Sequence, residues 1–121
     1  MNRPVNQADQ LQERTKAFAV RIVHMFRKLP KTYEARTIGR QLLRSGTSVA
    51  ANYRATRRAR SKAEFISRLG VVVEESDETV FWLEMLVDSG IIAKRRMESI
   101  LTEAKGLRAI FATSRATARK R

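Results

Sequence analysis

The spacing of apolar residues constrains the fold of this chain more than any other feature of its sequence. Apolar side chains recur at steps of three, four and seven residues, as in Leu11, Phe18, Ile22 and Met25. That spacing places side chains on one face of an α-helix. Few helix breakers interrupt the pattern, because the 121 residues include only two prolines and five glycines. The sequence therefore predicts an all-α protein.

Breakers and capping residues divide the apolar pattern into four helices. Pro30 ends the first helix at or just before Leu29, because proline has no N–H and clashes with the preceding turn. Ser61 and Glu64 form a capping box, in which each side chain is expected to bond the other residue's backbone N–H. Gly90 supplies the left-handed residue after a last helical turn. Helices are therefore predicted at residues 7–28, at 33–59, between the cap at 61 and residue 90, and at 93–114.

Three short connections between four amphipathic helices predict an antiparallel up-and-down four-helix bundle. A chain of this length suits one core, so residues 1–121 are expected to form a single domain. Residues 1–8 and 115–121 are expected to be poorly ordered tails, the second because it is basic and lacks apolar anchors. Because glycine weakens a helix, Gly46 could bend the second one.

The chain shows no signs of export or membrane insertion. No apolar segment follows the N-terminus as in a signal peptide, and no run is long enough to cross a bilayer. Cysteine is absent, which excludes disulfides and thiolate metal sites. We therefore expect a cytoplasmic protein without a membrane partner.

Positive charge dominates the composition and is unevenly placed. Lysine and arginine total 25 against 12 acidic residues, a net charge of +13, and such a field attracts polyanions. No acidic residue lies between Ala35 and Ala63. Arginine donates paired hydrogen bonds to phosphate, and the segment offers few aromatic rings for base stacking, so contact with a nucleic-acid backbone is expected. The candidate nucleic-acid-binding residues are Arg36, Arg40, Arg44, Arg54, Arg57, Arg58, Arg60 and Lys62.

Acidic residues of the third helix offer these arginines another role. If the second and third helices are antiparallel neighbours, Arg40 or Arg44 could pair with Glu74 or Glu78. Glu74, Asp77 and Glu78 could instead hold a divalent ion for nuclease chemistry, which is the weaker alternative.

No other catalytic site, metal site, cofactor or small-molecule substrate is indicated. His24 is the only histidine, and no nucleophile triad or glycine-rich phosphate loop is present. We therefore expect a protein that is not an enzyme.

The third helix is apolar on nearly all sides around residues 80–87. After the core positions are assigned, Phe81, Trp82 and Met85 still need cover. Aromatic residues and methionine are enriched in interface cores, which favours a homo-oligomer. Cover by another part of the same chain, such as the N-terminal arm, is the alternative.

Several segments of the sequence resemble one family. They are the stop at Leu29-Pro30, the small-residue segment QLLRSGTSVAAN at 41–52, the cap RSKAEF at 60–65 and the segment ESDETVFWLE at 75–84. Together these resemble the 23S rRNA intervening-sequence protein family. Members usually carry Ala-Glu-Gly where this chain has Arg54-Ala55-Thr56, and that difference makes the turn more basic.

The resemblance implies a left-handed bundle that assembles into a ring of five and has no established enzymatic activity. Similar bundles contact RNA and a reverse transcriptase in diversity-generating retroelements. The leading hypothesis is a non-enzymatic, homo-oligomeric scaffold that binds RNA or DNA backbone through its basic surface. A protein–protein adaptor for an acidic partner is the alternative.

Overall fold

The computed structural model describes residues 6–121, and its four helices confirm the all-α prediction. No strand occurs in that part of the chain. None of the helices carries an apolar stretch long enough to cross a membrane within the described residues. The helices are α1 (Gln7–Lys28), α2 (Tyr33–Thr56), α3 (Lys62–Asp88) and α4 (Lys94–Lys120).

Side-chain caps start three of the helices. The Asn6 side chain accepts a hydrogen bond from a backbone N–H in the first turn of α1, and Thr32 does the same for α2. The Ser61 hydroxyl accepts the Glu64 N–H at 3.0 Å, as predicted. The predicted return bond from the Ser61 N–H to the Glu64 carboxylate is wrong. That carboxylate accepts the N–H of Arg60 instead, at 3.3 Å.

Neighbouring helices run in opposite directions. Asp9 near the start of α1 pairs with Arg57 just after α2, while Ile22 near the end of α1 lies against Gly46 in the middle of α2. Residues later in α1 therefore contact residues earlier in α2, as antiparallel packing requires. Each helix packs on the next in the chain, and α1 also contacts α4, although these two pack least closely. This order gives an up-and-down bundle, whose left-handed sense stays a prediction.

All four helices contribute to one core. Buried hydroxyls inside it bond to carbonyls of their own helix, as Ser76 does with Val72 at 2.7 Å. No buried side-chain polar atom in residues 6–121 lacks a hydrogen-bond partner. The largest fully buried side chains include Phe18, Ile22, Leu42, Leu69, Leu83, Leu86, Met97, Leu107 and Phe111.

Gly46 serves close packing and does not interrupt α2, which is continuous through it. A Cβ atom at this position would lie 2.9 Å from Cγ1 of Ile22. The absence of a side chain therefore lets α1 approach α2.

Two predicted helix ends are wrong. The second helix ends at Thr56, not at 59, and α4 continues to Lys120. Residues 115–120, predicted as part of a tail, form the last turns of α4, and Arg115 Nε donates to the Ile66 carbonyl of α3 at 3.2 Å. Cations in the last turn of α4 also suit the helix dipole. Of the expected N-terminal tail, residues 6–8 form the cap and first turn of α1, and residues 1–5 lie outside the described part.

Candidate nucleic-acid interface

Arginines follow one side of α2 along its length. Arg36 and Arg54 are separated by about five turns at 3.6 residues per turn, so they point in the same direction, roughly 27 Å apart. Arg40 and Arg44 lie within a quarter turn of that line and are exposed. We call Arg36, Arg40, Arg44 and Arg54 the basic ridge. It brings the α2 candidates together on one face.

Members of the basic ridge differ in how free their charges are. Arg44 donates to Glu75 at 3.2 Å and also pairs with Glu78, so the predicted pairing between α2 and α3 occurs. Such half-exposed pairs contribute about 0–1 kcal/mol each. The Arg36 guanidinium lies 4.5 Å from the centre of the Phe26 ring. Arg40 has no ion pair with any described residue.

Arg57 holds two helices together. Its guanidinium lies 2.8 Å from Asp9 Oδ1 and donates to Gln12 Oε1 at 2.8 Å. Asp9 of α1 therefore brings an acid to the α2–α3 turn in addition to Glu64. Burial raises the pKa of the adjacent Tyr53 hydroxyl, while the positive charge of Arg57 opposes the rise and Asp9 adds to it. The charge of Arg57 is thus paired with Asp9 and joins the end of α2 to the first turns of α1.

The remaining arginines of the turn are more available. Arg54 and Arg58 are exposed and make no ion pair with a residue that the structure describes. The Arg60 side chain is 89% exposed, and its only such partner is Glu64 at 3.8 Å. Arg68 donates to Glu64 at 2.8 Å, and this bond, together with the Arg60 N–H, lowers the pKa of the Glu64 carboxyl.

The last turns of α4 lie beside these arginines. The Lys62 ammonium donates to the Arg121 carbonyl, and Arg115 crosses to the α3 backbone next to Gly70. A Cβ at Gly70 would lie 3.0 Å from Arg115 Nε, so glycine leaves room for this crossing. We call the combined cluster the basic end. Its members are Arg54, Arg58, Arg60, Lys62, Arg115, Arg119, Lys120 and Arg121.

Sequence reasoning missed the four cations Arg115, Arg119, Lys120 and Arg121 because it treated residues 115–121 as a frayed tail. The length of the third helix offered a signal. An antiparallel fourth helix of the same length extends past residue 114 and ends beside the α2–α3 turn. Alanine and arginine, which favour helices, fill residues 115–121 together with threonine and lysine.

The acidic residues of α3 point to different partners. Asp77 Oδ1 accepts from Arg108 of α4 at 2.8 Å. Glu78 pairs with Arg44 of α2 and also accepts from Trp82. Within residues 6–121, no three histidine, aspartate or glutamate side chains lie together in a way that could hold a metal ion. The carboxylates that the nuclease alternative would need are thus directed apart.

The predicted interface residues Phe81, Trp82 and Met85 have unequal cover. Trp82 packs against the core, and its Nε1 donates to Glu78 at 3.1 Å. Phe81 remains 49% exposed, with its ring edge-on to that of Trp82 at a centroid distance of 4.8 Å. Met85 is half-buried. Trp82 is therefore partly covered by its own chain, and an oligomer interface at these residues stays a prediction.

Comparisons with known proteins agree with this architecture. A crystal structure of a protein with unknown function from the S23 ribosomal protein family of Bacteroides thetaiotaomicron is 31% identical in sequence. The match has a TM-score of 0.84 and covers 92% of this chain and 99% of that one. No curated protein matches the chain. Residues 9–113 match the family described as 23S rRNA-intervening sequence protein. The chain therefore belongs to the 23S rRNA-intervening sequence protein family.

Proposed function

We propose that this protein is a non-enzymatic, homo-oligomeric scaffold that binds the backbone of RNA or DNA through its basic end and basic ridge. One observation carries the proposal: the fold brings the last turns of α4 against the α2–α3 turn. Cations distant in sequence are thereby gathered at one end of the bundle. The two acidic residues near this end of the bundle, Asp9 of α1 and Glu64 of α3, already form ion pairs with arginines.

The chemistry of the basic end favours phosphate over bases. Arginine presents a planar fork that matches two phosphate oxygens. Reading of single-stranded bases usually needs aromatic rings for stacking. The exposed aromatic residues Tyr33 and Phe81 lie towards the opposite end of the bundle. A structured RNA or a duplex, recognised through its backbone, fits this surface best.

The basic ridge extends the contact along the bundle. The ridge is roughly 27 Å long, about the length of eight base-pair steps of duplex DNA at 3.4 Å each. Arg36, Arg40 and Arg54 are the ridge members that form no ion pair with a described acid, and Arg36 also lies over the Phe26 ring. A polyanion lying along α2 would therefore meet free cations on the ridge and more of them at the basic end.

Self-association would strengthen such a surface. Phe81 and Val71, 49% and 40% exposed, lie on the outer side of α3 and offer apolar contact area. A ring, as in the family resemblance, would present several basic ends to one nucleic acid, and linked weak sites gain avidity. Membership of the 23S rRNA-intervening sequence protein family is compatible with an RNA partner.

Two sets of charge-removing variants test the proposal. The triple variant Arg54→Gln, Arg58→Gln, Arg60→Gln removes three exposed cations from the basic end. The control triple Lys94→Gln, Arg95→Gln, Lys105→Gln removes the same charge from exposed positions elsewhere. Binding to a structured RNA and to duplex DNA is measured by fluorescence anisotropy near physiological salt.

The proposal predicts a loss of about tenfold or more in affinity for the basic-end triple, since each lost phosphate contact weakens binding. The control triple should lose less than about threefold through the general field alone. Unfolding temperatures should hardly change, because Arg54 and Arg58 pair with no described acid. Equal losses in both triples would refute a localised site.

A further inference from the structure

A second feature lies at the other end of the bundle, where the last turns of α1 meet the α3–α4 turn and the start of α4. A cavity of about 380 Å³ opens there. It lies between α1 and α4, which pack less closely on each other than consecutive helices do. Its floor and walls are apolar and are formed by Met25, Leu29, Pro30, Ile91, Ile92 and Ile100.

Backbone hydrogen bonds hold the walls in place. The N–H groups of Ile91 and Ile92 both donate to the Leu86 carbonyl at 3.0 Å. On the opposite side, the Leu29 N–H donates to the Phe26 carbonyl at 3.2 Å. Gly90, with its φ of 77°, allows the α3–α4 chain reversal that brings the two isoleucines to the cavity. The cavity is therefore a preformed part of the fold.

The rim of this cavity is positively charged. Arg21, Lys28 and Arg96 line it together with His24, and no acidic residue does. Arg21 Nη2 donates to the Ser99 hydroxyl at 2.9 Å, which fixes its guanidinium and leaves other N–H groups free. Lys28 and Arg96 form no ion pair with a described residue. An apolar floor under unpaired cations is complementary to a ligand with an apolar body and an anionic head.

We propose that this cavity binds a small organic anion, a carboxylate, sulfonate or phosphate carried on an apolar body. Ligand sites are typically concave and mostly apolar, with a few polar groups that fix orientation, and volumes start at about 300 Å³. Arg96, Lys28 and Arg21 would hold the head, while Ile91, Ile92 and Met25 would cover the body. The site is distinct from the basic end and does not depend on the nucleic-acid proposal.

Anilinonaphthalene sulfonate, a fluorescent aromatic anion, is a direct probe of this chemistry. With the folded full chain, the proposal predicts saturable binding of one probe per chain with a rise in fluorescence. Decanoate should displace the probe, and decanol should do so at least tenfold less effectively, because the cations recognise the head. Equal displacement by the two would overturn the proposal, and so would the absence of saturable binding.

Two neighbouring arginines provide a matched pair of variants. Arg96→Gln removes a cation that lines the cavity, whereas Arg95→Gln removes the same charge from an exposed position next to it. Arg96→Gln should weaken probe binding about fivefold, or about 1 kcal/mol, and Arg95→Gln less than twofold. Equal effects would show that the probe senses only the overall field. The basic-end triple should leave probe binding unchanged, so failure of one proposal can be separated from failure of the other.

Discussion

Replacement of Gly46 by alanine tests the packing between α1 and α2. In an ordinary helix this change is stabilising, because alanine is a better helix former by about 0.5–1 kcal/mol. Here the new Cβ would lie 2.9 Å from Cγ1 and 3.0 Å from Cγ2 of Ile22. Ile22 is fully buried, and its branched Cβ makes χ1 stiff, so rotation cannot relieve the contact. The helices themselves must shift apart.

The two effects can be compared in magnitude. Overpacking in a close-packed core costs about 1–3 kcal/mol, which exceeds the gain in helix propensity. We therefore expect Gly46→Ala to lower the free energy of unfolding by about 1–2 kcal/mol. For a domain of this size, that corresponds to a fall in Tm of roughly 4–10 °C.

Urea and thermal unfolding followed by circular dichroism measure this effect, and Gly106→Ala in α4 is the matched control. A Cβ at Gly106 would approach only the end of the flexible Arg14 side chain, at 3.4 Å. The control should therefore gain about 0.5–1 kcal/mol. A Gly46→Ala variant as stable as the wild type, or more stable, would refute the close-packing explanation.

Three further predictions follow from individual contacts. Arg14 donates to Glu103 and lowers its pKa, so the stability from this pair is present above the ordinary pKa of the carboxyl and lost as pH falls through the lowered value. In urea unfolding at neutral pH, the free energy of unfolding of Glu103→Gln should be lower than that of the wild type by at most about 1 kcal/mol, since both groups are partly exposed. In strong acid the two proteins should be equally stable. A difference that does not change with pH would contradict this. Leu83→Ala should cost about 2–5 kcal/mol in the same assay because Leu83 is fully buried, and a loss under 1 kcal/mol would contradict its place in the core. Phe81→Ser should lower the mass measured by light scattering with little effect on stability, whereas Val20→Ser, at a similarly exposed residue of α1, should not; an unchanged mass for Phe81→Ser would remove Phe81 from the interface.

Several helix boundaries were predictable because their signals are local. Pro30, Ser61 and Gly90 each act on the backbone of the adjacent turn, so their effects can be read from a few residues. The end of α4 was not predictable in this way. Arg115 is held by a carbonyl of α3, and no periodic apolar residue marks that contact in the sequence. Tertiary packing therefore decides where that helix ends.

The candidate site shows the same division. The pairing of Arg44 with Glu78 was predictable because the two helices are adjacent in the chain and opposite in charge. The pairing of Arg57 with Asp9 was not, because it depends on which turn of α1 meets the end of α2. The cavity beside Arg96 could not be foreseen either, since its lining residues come from the first helix and from the turn and helix at the other end of the sequence.

The central claim, that the basic end binds nucleic-acid backbone, is tested most directly by a salt series. Affinity for a structured RNA is measured by fluorescence anisotropy at several salt concentrations, for the wild type and for the triple variant at Arg54, Arg58 and Arg60. The account predicts a linear fall of log K with log salt, and a slope smaller by about 2–3 in the variant, since three phosphate contacts are lost. Wild-type binding that disappears below physiological salt, or a slope that the triple variant leaves unchanged, would contradict the account.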